Sequence, residues 1–186
     1  AFYGCTSLTS VYISDLSAWC KIDFSNSGSN PMYNGAKLYL NGVELTEVTI
    51  PSDVTEIKDS AFINCTSLTS ITIPDSVTEI GDYAFYDCNS LTSIEIPDSV
   101  ETIDQDAFAY SDVETIIVGS GVKTIGYGAF YQCSNLKTLV FKSSQVPSYG
   151  GGYSIGNSYN RIPYPNHCPR SSAKKLSIVS LLKMVE

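Results

Sequence analysis

Residues 71–108 read ITIPDSVTEIGDYAFYDCNSLTSIEIPDSVETIDQDAF. Taken alone, the first part looks reactive: Cys88 is preceded by Asp75, Glu79, Asp82 and Asp87, with Tyr83 and Tyr86 close in sequence. The second part answers the first, because Ile71–Val77 returns as Ile94–Val100 with a shift of 23 residues. The same phase extends outward. Ala-Phe pairs stand at Ala1-Phe2, Ala61-Phe62, Ala84-Phe85, Ala107-Phe108 and Ala129-Phe130, the last four spaced 23, 23 and 22 residues apart. The third residue after each Phe is Cys5, Cys65, Cys88, Ser111 and Cys133. Leu8, Leu68, Leu91, Val113 and Leu136 follow, Val113 after a coil one residue short.

An alternating apolar pair comes next: Val11/Ile13, Val48/Ile50, Ile71/Ile73, Ile94/Ile96, Ile116/Val118 and Leu139/Phe141. Period-two alternation marks strands with one face inward. Pro51, Pro74 and Pro97 close three of them, since proline cannot donate to a continuing ladder. A second short apolar pair follows the turn, as Val54/Ile57, Val77/Ile80, Val100/Ile103 and Val122/Ile125. Self-similarity at this period, with leucines leading each strand, predicts an α/β leucine-rich-repeat solenoid: right-handed, predominantly β, with short helical or 3-10 turns. One coil is too small to bury its own apolar side, so stacking must supply the partner and the core becomes ladders of like residues.

The repeat changes how the reactive-looking residues read. A nucleophilic cysteine needs a lowered pKa and a neighbouring base, and is not expected in every coil. Cys5, Cys65, Cys88 and Cys133 hold one structural position that takes small buried side chains. Their Cα atoms would lie ~5 Å apart in successive coils, but parallel side chains favour free thiols over disulfides. The state of Cys20 and Cys168, outside this ladder, is left open. His167 is the sole histidine; it lacks a nucleophile elbow, and His167-Cys168 lacks zinc-ligand spacing. The Pro-Asp pairs read as turns in which Asp bonds its local backbone, not as a calcium loop. No catalytic, cofactor or metal residues are therefore assigned.

The regular array is expected over residues 1–142, interrupted by an irregular unit at 15–44. Within that unit Asn41-Gly42, flanked by Leu38, Leu40, Val43 and Leu45, signals a two-residue hairpin. Trp19 and Phe24 are expected as its local core. Residues 143–186 read as a Tyr/Gly/Ser-rich loop, then a capping segment with Leu176, Val179 and Leu182 on one helical face. Ala1 falls mid-coil, so the chain is expected to be a fragment of a longer protein.

The net charge of −8 conceals an asymmetry. Residues 1–120 hold 18 acids against Lys21, Lys37 and Lys58, whereas residues 121–186 hold eight bases against Glu186. This balance argues against nucleic acid and anionic membrane as partners; the acidic part is either a solvated surface or one that prefers basic partners. No apolar run is long enough to span a bilayer, so no membrane insertion is expected of these residues. Two outward lines are candidates for partner binding. Between the apolar strand residues run Tyr12, Thr49, Thr72, Glu95, Ile117 and Val140, with Ser10, Glu47, Ser70, Ser93, Thr115 and Thr138 beside them. Ile117 and Val140 call for a cover, which the loop after Phe141 is expected to supply, or else belong to a binding patch. The second line is aromatic: Tyr83, Tyr86, Tyr127 and Tyr131, with Tyr3 in the position equivalent to Tyr86.

The stretch IPDSVTEIGDYAFYDCNSLTS resembles the repeat of bacterial BspA-like leucine-rich-repeat proteins. The resemblance covers about residues 1–14 and 45–142. The intervening DLSAWCKIDFSNSGSNPMYNGAKLYLNG resembles an irregular unit found between repeats in that family, while the tail matches only at PRSSAKK. The resemblance implies large exported surface proteins, many associated with adhesion to host extracellular proteins, and no catalytic residues. The expected role is a non-enzymatic protein-binding module, extracellular or at a bacterial cell surface, with a host extracellular matrix protein as the implied partner class. A structural spacer within a larger surface protein is the alternative. A glycan-active enzyme is disfavoured, because no paired carboxylates stand in a recognisable context. Oligomeric state is left open.

Overall fold

The computed structural model describes residues 2–24, 26–143 and 147–149, together with the backbone of residues 155–156. The chain winds as a β-solenoid of about six turns with little helix. Each regular coil has three sides. The first carries the strands Glu47–Thr49, Ser70–Thr72, Ser93–Ile96, Thr115–Val118 and Thr138–Phe141. The second carries Glu56–Ile57, Glu79–Ile80, Thr102–Ile103, Thr124–Ile125 and Ser148–Tyr149, which form a five-stranded parallel sheet. The third is the turn around each Ala-Phe pair.

Alternation drives the first two sides. Ile94, Ile96, Ile116, Val118 and Leu139 point inward and are buried, as are Ile57, Ile80, Ile103 and Ile125 on the second side. On the third side the Phe ladder is the centre of the core. Phe62, Phe85, Phe108 and Phe130 are fully buried and stack with centroid separations of 5.3, 5.2 and 5.6 Å. The preceding Ala is small because the turns approach closely there: Phe62 N–H donates to Ala84 O at 2.8 Å, Phe85 to Ala107 at 2.7 Å and Phe108 to Ala129 at 2.8 Å. Those bonds require the turn to reverse twice. Ser60, Tyr83, Asp106 and Gly128, two residues before each Phe, all have positive φ. So do Asn64, Asp87, Tyr110 and Gln132, two residues after it.

The irregular unit departs from the regular coil for identifiable reasons. Asp15 caps a five-residue helix, Leu16–Cys20, by accepting from Ala18 N at 2.9 Å. Among the described residues, helix is confined to this element and the 3-10 turns Ser27–Ser29 and Pro31–Asn34. The regular coils carry turns instead of the short helices expected for them, because successive N–H groups alternate between their own turn and the next coil. Ala61 and Ile63 donate to Lys58 O and Ser60 O at 3.1 Å, whereas Ser60, Phe62 and Asn64 donate to Asp82, Ala84 and Tyr86 of the next coil, so no continuous helical ladder forms. Trp19 packs edge-on against Phe24 at 5.4 Å and donates Nε1–H to Ala61 O at 2.8 Å, fastening the unit to the first regular turn. Buried Asn30 does the same, donating to Ser60 O at 2.7 Å while accepting from Met32 N at 2.7 Å. Asn41 and Gly42, both at positive φ, close a hairpin between Lys37–Leu40 and Val43–Glu44. Lys37–Leu40 also pairs in parallel with Ser10–Ile13, Val11 opposite Leu38 and Ile13 opposite Leu40. The unit thus supplies a ladder strand as well as a hairpin.

Past Phe141 the sequence suggests a loop, yet the coil goes on. Ser148–Tyr149 pairs with Thr124–Ile125, and Ile155–Gly156 pairs with Phe130–Tyr131. Tyr149 occupies the register position of Ile125 and packs against the core. The expected C-terminal helix at Leu176, Val179 and Leu182, and His167-Cys168, lie outside the described residues.

Candidate interaction surface

Parallel register fixes what the first outward line looks like. Thr49 lies opposite Thr72, and Glu95, Ile117 and Val140 stand in one row. Thr49, Thr72 and Glu95 are exposed, whereas Ile117 and Val140 are half-buried. Tyr12 lies beside Tyr39 and not beside Thr49; the two rings stack at 4.9 Å, with Tyr12 68% exposed. Tyr39 was not picked out from the sequence, although Leu38-x-Leu40 repeats the pattern of Val11-x-Ile13 around it. At the far end, Lys142 reaches across two coils to Glu95, Nζ to Oε1 2.7 Å. That carboxylate hydrogen-bonds the ammonium and raises the Lys142 pKa, so Glu95 already holds a cation. Of the described residues after Phe141, Ser148–Tyr149 joins the second sheet. The remainder of the proposed cover lies outside the described residues.

The aromatic line lies on the turn side. Tyr83 contacts Tyr86 at 5.7 Å, Tyr86 contacts Tyr110 at 5.2 Å, and Tyr110 contacts Tyr131 at 5.5 Å. Tyr110 replaces the ring that Ala109 lacks in the position equivalent to Tyr86; the sign in the sequence is an aromatic one residue beyond a vacant column. Tyr127 is 46% exposed. Burial pushes the Tyr86 phenol up to about 12, helped by Tyr110 and Asp87.

Between the second sheet and the turn side lies an acidic concavity of about 350 Å³, lined by Asp23, Glu56, Lys58, Asp59, Glu79, Asp82 and Asp104. Its geometry follows from stitching between coils. Asp59 Oδ1 accepts from Asp82 N at 2.9 Å, and Asp82 Oδ1 accepts from Gln105 N at 2.8 Å. Burial, followed by the charges of Glu79 and Asp82, raises Asp104 to about 6. Burial raises Asp59 as well. The turn aspartate Asp98 also bonds forward, to Ser120 N at 2.7 Å in the next coil, rather than to its own turn as the Pro-Asp motif suggested. Among the described residues, no group of three or more His, Cys, Asp or Glu is placed to hold a metal ion.

The cysteine position is a rung between coils. Cys88 Sγ donates to Phe62 O at 3.3 Å, Ser111 Oγ to Phe85 O at 2.8 Å and Cys133 Sγ to Phe108 O at 3.1 Å. Ser111 Oγ also accepts from Cys88 N at 3.1 Å. Small size is therefore only part of what Cys88, Ser111 and Cys133 supply; in these three coils the side chain also donates to a buried carbonyl. Burial pushes Cys65 and Cys133 up to about 12 and Cys88 well above the usual thiol range, the reverse of what a nucleophile needs. Cys20, buried beneath the irregular unit, is likewise raised to about 12. All four are unpaired, as is exposed Cys5.

No curated protein matches the chain. A leucine-rich repeat protein from Bacteroides ovatus is 27% identical over 63% of this chain and 40% of its own, with a TM-score of 0.45. One from Eubacterium ventriosum is 27% identical over 64% of this chain and 34% of its own, with a TM-score of 0.48. A leucine rich cell surface protein from Faecalibacterium prausnitzii is 28% identical over 59% and 41%, with a TM-score of 0.42. The chain thus spans less than half the length of these structures. The BspA type leucine rich repeat region matches residues 35–150 in six copies, the same stretch in which the Ala-Phe, Cys/Ser and Ile ladders stack, and the chain belongs to that family.

Proposed function

We propose that this chain is a non-enzymatic protein-binding module of an exported bacterial surface protein, wound as a right-handed solenoid, the hand of nearly all parallel β crossovers. One observation carries the reading. Inward positions stay apolar from coil to coil, whereas the outward line changes along the array: Thr49 and Thr72 are alike, but Glu95, Ile117 and Val140 in one register all differ while Ile94, Ile116 and Leu139 remain core. A scaffold that is constant inside and varied outside presents a rigid face whose ordering entropy is already spent before a partner arrives. A host extracellular matrix protein is the partner class proposed.

The test is surface plasmon resonance of the chain against a panel of immobilised extracellular-matrix proteins, repeated with Tyr12→Ala, Glu95→Ala and Ile117→Ala. Binding to at least one protein, weakened about tenfold by one of these changes, supports a sheet-face site. Equal binding by all three variants excludes that face. The alternative is a structural spacer within a larger surface protein. It predicts no binding by this segment and binding by flanking domains of the parent protein.

A further inference from the structure

The turn side differs in kind from the sheet face. Tyr83, Tyr86, Tyr110 and Tyr131 form an unbroken run of ring contacts, and Tyr110 at its middle is 43% exposed. Carboxylates stand among the rings. Besides burial, Asp106 and Asp82 act on the Tyr83 phenol, and Asp87 and Asp106 act on Tyr86. No lysine balances them: among the described residues, Lys21, Lys37, Lys58, Lys123, Lys137 and Lys142 are each engaged with an acid outside this group, at 2.6–2.8 Å.

The face therefore combines aromatic surfaces with an anionic rim. A ring face attracts a cation, and a planar guanidinium both stacks on rings and pairs with carboxylates. We propose that this face docks an arginine-rich extended segment of a separate protein. The proposal rests on the protein-binding reading above. An extended strand presents same-side residues about every 6.7 Å. Tyr86, Tyr110 and Tyr131 stand 5.2 and 5.5 Å apart, about 1–1.5 Å less per step, a difference that the long, flexible arginine side chain spans, so three alternate arginines can reach them. The chain's own residues 157–186 are also basic, with Arg161, Arg170, Lys174, Lys175 and Lys183 against Glu186. No two of those bases are two residues apart, so that segment does not offer the alternation.

The experiment is fluorescence anisotropy of a labelled peptide of five Arg-Ser repeats, titrated with the full 186-residue chain at physiological salt. Saturable binding is expected, weakened about fivefold or more by Tyr110→Asn and by Asp106→Asn. Asparagine suits the left-handed backbone at both positions, and thermal unfolding of each variant confirms that it folds. Asp75→Asn, in an exposed turn away from the rings, should leave the affinity unchanged. The proposal is overturned if Tyr110→Asn binds like the parent, or if Asp75→Asn weakens binding as much as Asp106→Asn, which would mean diffuse attraction to an acidic chain. It is also overturned if a synthetic peptide of residues 157–186 displaces the probe from the parent chain, which would assign the face to the chain's own tail. If the Arg-Ser probe fails while a matrix protein binds through Tyr12, Glu95 or Ile117, this inference falls alone; if neither binds, the protein-binding reading falls with it.

Discussion

Replacing Ser111 by alanine separates two accounts of the cysteine ladder. If the position requires only a small apolar side chain, alanine should be at least as good as serine in a fully buried site. The hydrogen bonds predict the opposite. Ser111 Oγ donates to Phe85 O at 2.8 Å and accepts from Cys88 N at 3.1 Å, both in the core. Removing it strips a partner from two buried main-chain groups, each costing about 1–3 kcal/mol when left unmet, so Ser111→Ala should cost roughly 2–6 kcal/mol. Cys88→Ala should cost less, about 1 kcal/mol, because Phe62 O retains Cys65 N–H at 3.2 Å. Ser111→Cys should be mild, since Cys88 and Cys133 make the same carbonyl contact in their own coils. Urea unfolding followed by far-UV circular dichroism reads these differences. With a denaturant slope of about 2 kcal/mol/M, Ser111→Ala lowers the midpoint by roughly 1–3 M. A midpoint within about 0.3 M of the parent, or Ser111→Cys as damaging as Ser111→Ala, would refute the rung and leave size as the only criterion.

Three further outcomes follow from the same geometry. Gly121→Ala should prevent normal stacking, because a Cβ there would lie 1.9 Å from Asp98 O, a main-chain atom unable to yield; loss of the cooperative thermal transition is the expected readout. Asp104, raised to about 6 in the fold, binds its proton more tightly folded than unfolded, so its contribution is present at pH 4 and is lost as pH rises through 6. Asp104→Asn should therefore be more stable than the parent at pH 7, the advantage shrinking toward pH 4 in paired urea titrations; an advantage independent of pH would contradict the assignment. In native protein at pH 8, peptide mapping after brief treatment with a thiol reagent should find Cys5 labelled and Cys20, Cys65, Cys88 and Cys133 unlabelled, with labelling of all five only in denaturant.

Much of the fold can be read in the chain because a solenoid turns sequence period directly into spatial neighbourhood. Residues 23 apart become contacts, so Phe62, Phe85, Phe108 and Phe130 are recognisable as a stack before any coordinates. The candidate surface is less legible. Tyr110 lies one column away from the tyrosines it joins, and only its ring direction from a left-handed backbone brings it between Tyr86 and Tyr131. Tyr39 is separated from Tyr12 by 27 residues rather than 23, which hides a strand pairing that the register makes plain.

By itself the sequence determined the inward ladders, the hairpin at Asn41-Gly42 and the structural character of the cysteines, because burial is periodic and each copy constrains the others. Only the tertiary structure decided what passes between coils. It showed that Ser111, Cys88 and Cys133 are hydrogen-bond rungs, and that Asp59, Asp82 and Asp98 stitch forward to the next coil. It also showed that Ser148–Tyr149 extends a sheet within a segment that reads as loop. The physical reason is common to all three. Apolar burial is non-directional and leaves its period in the residue types, whereas a hydrogen bond needs a donor and an acceptor within about 3 Å at the right angle, which only the register of stacked backbones sets.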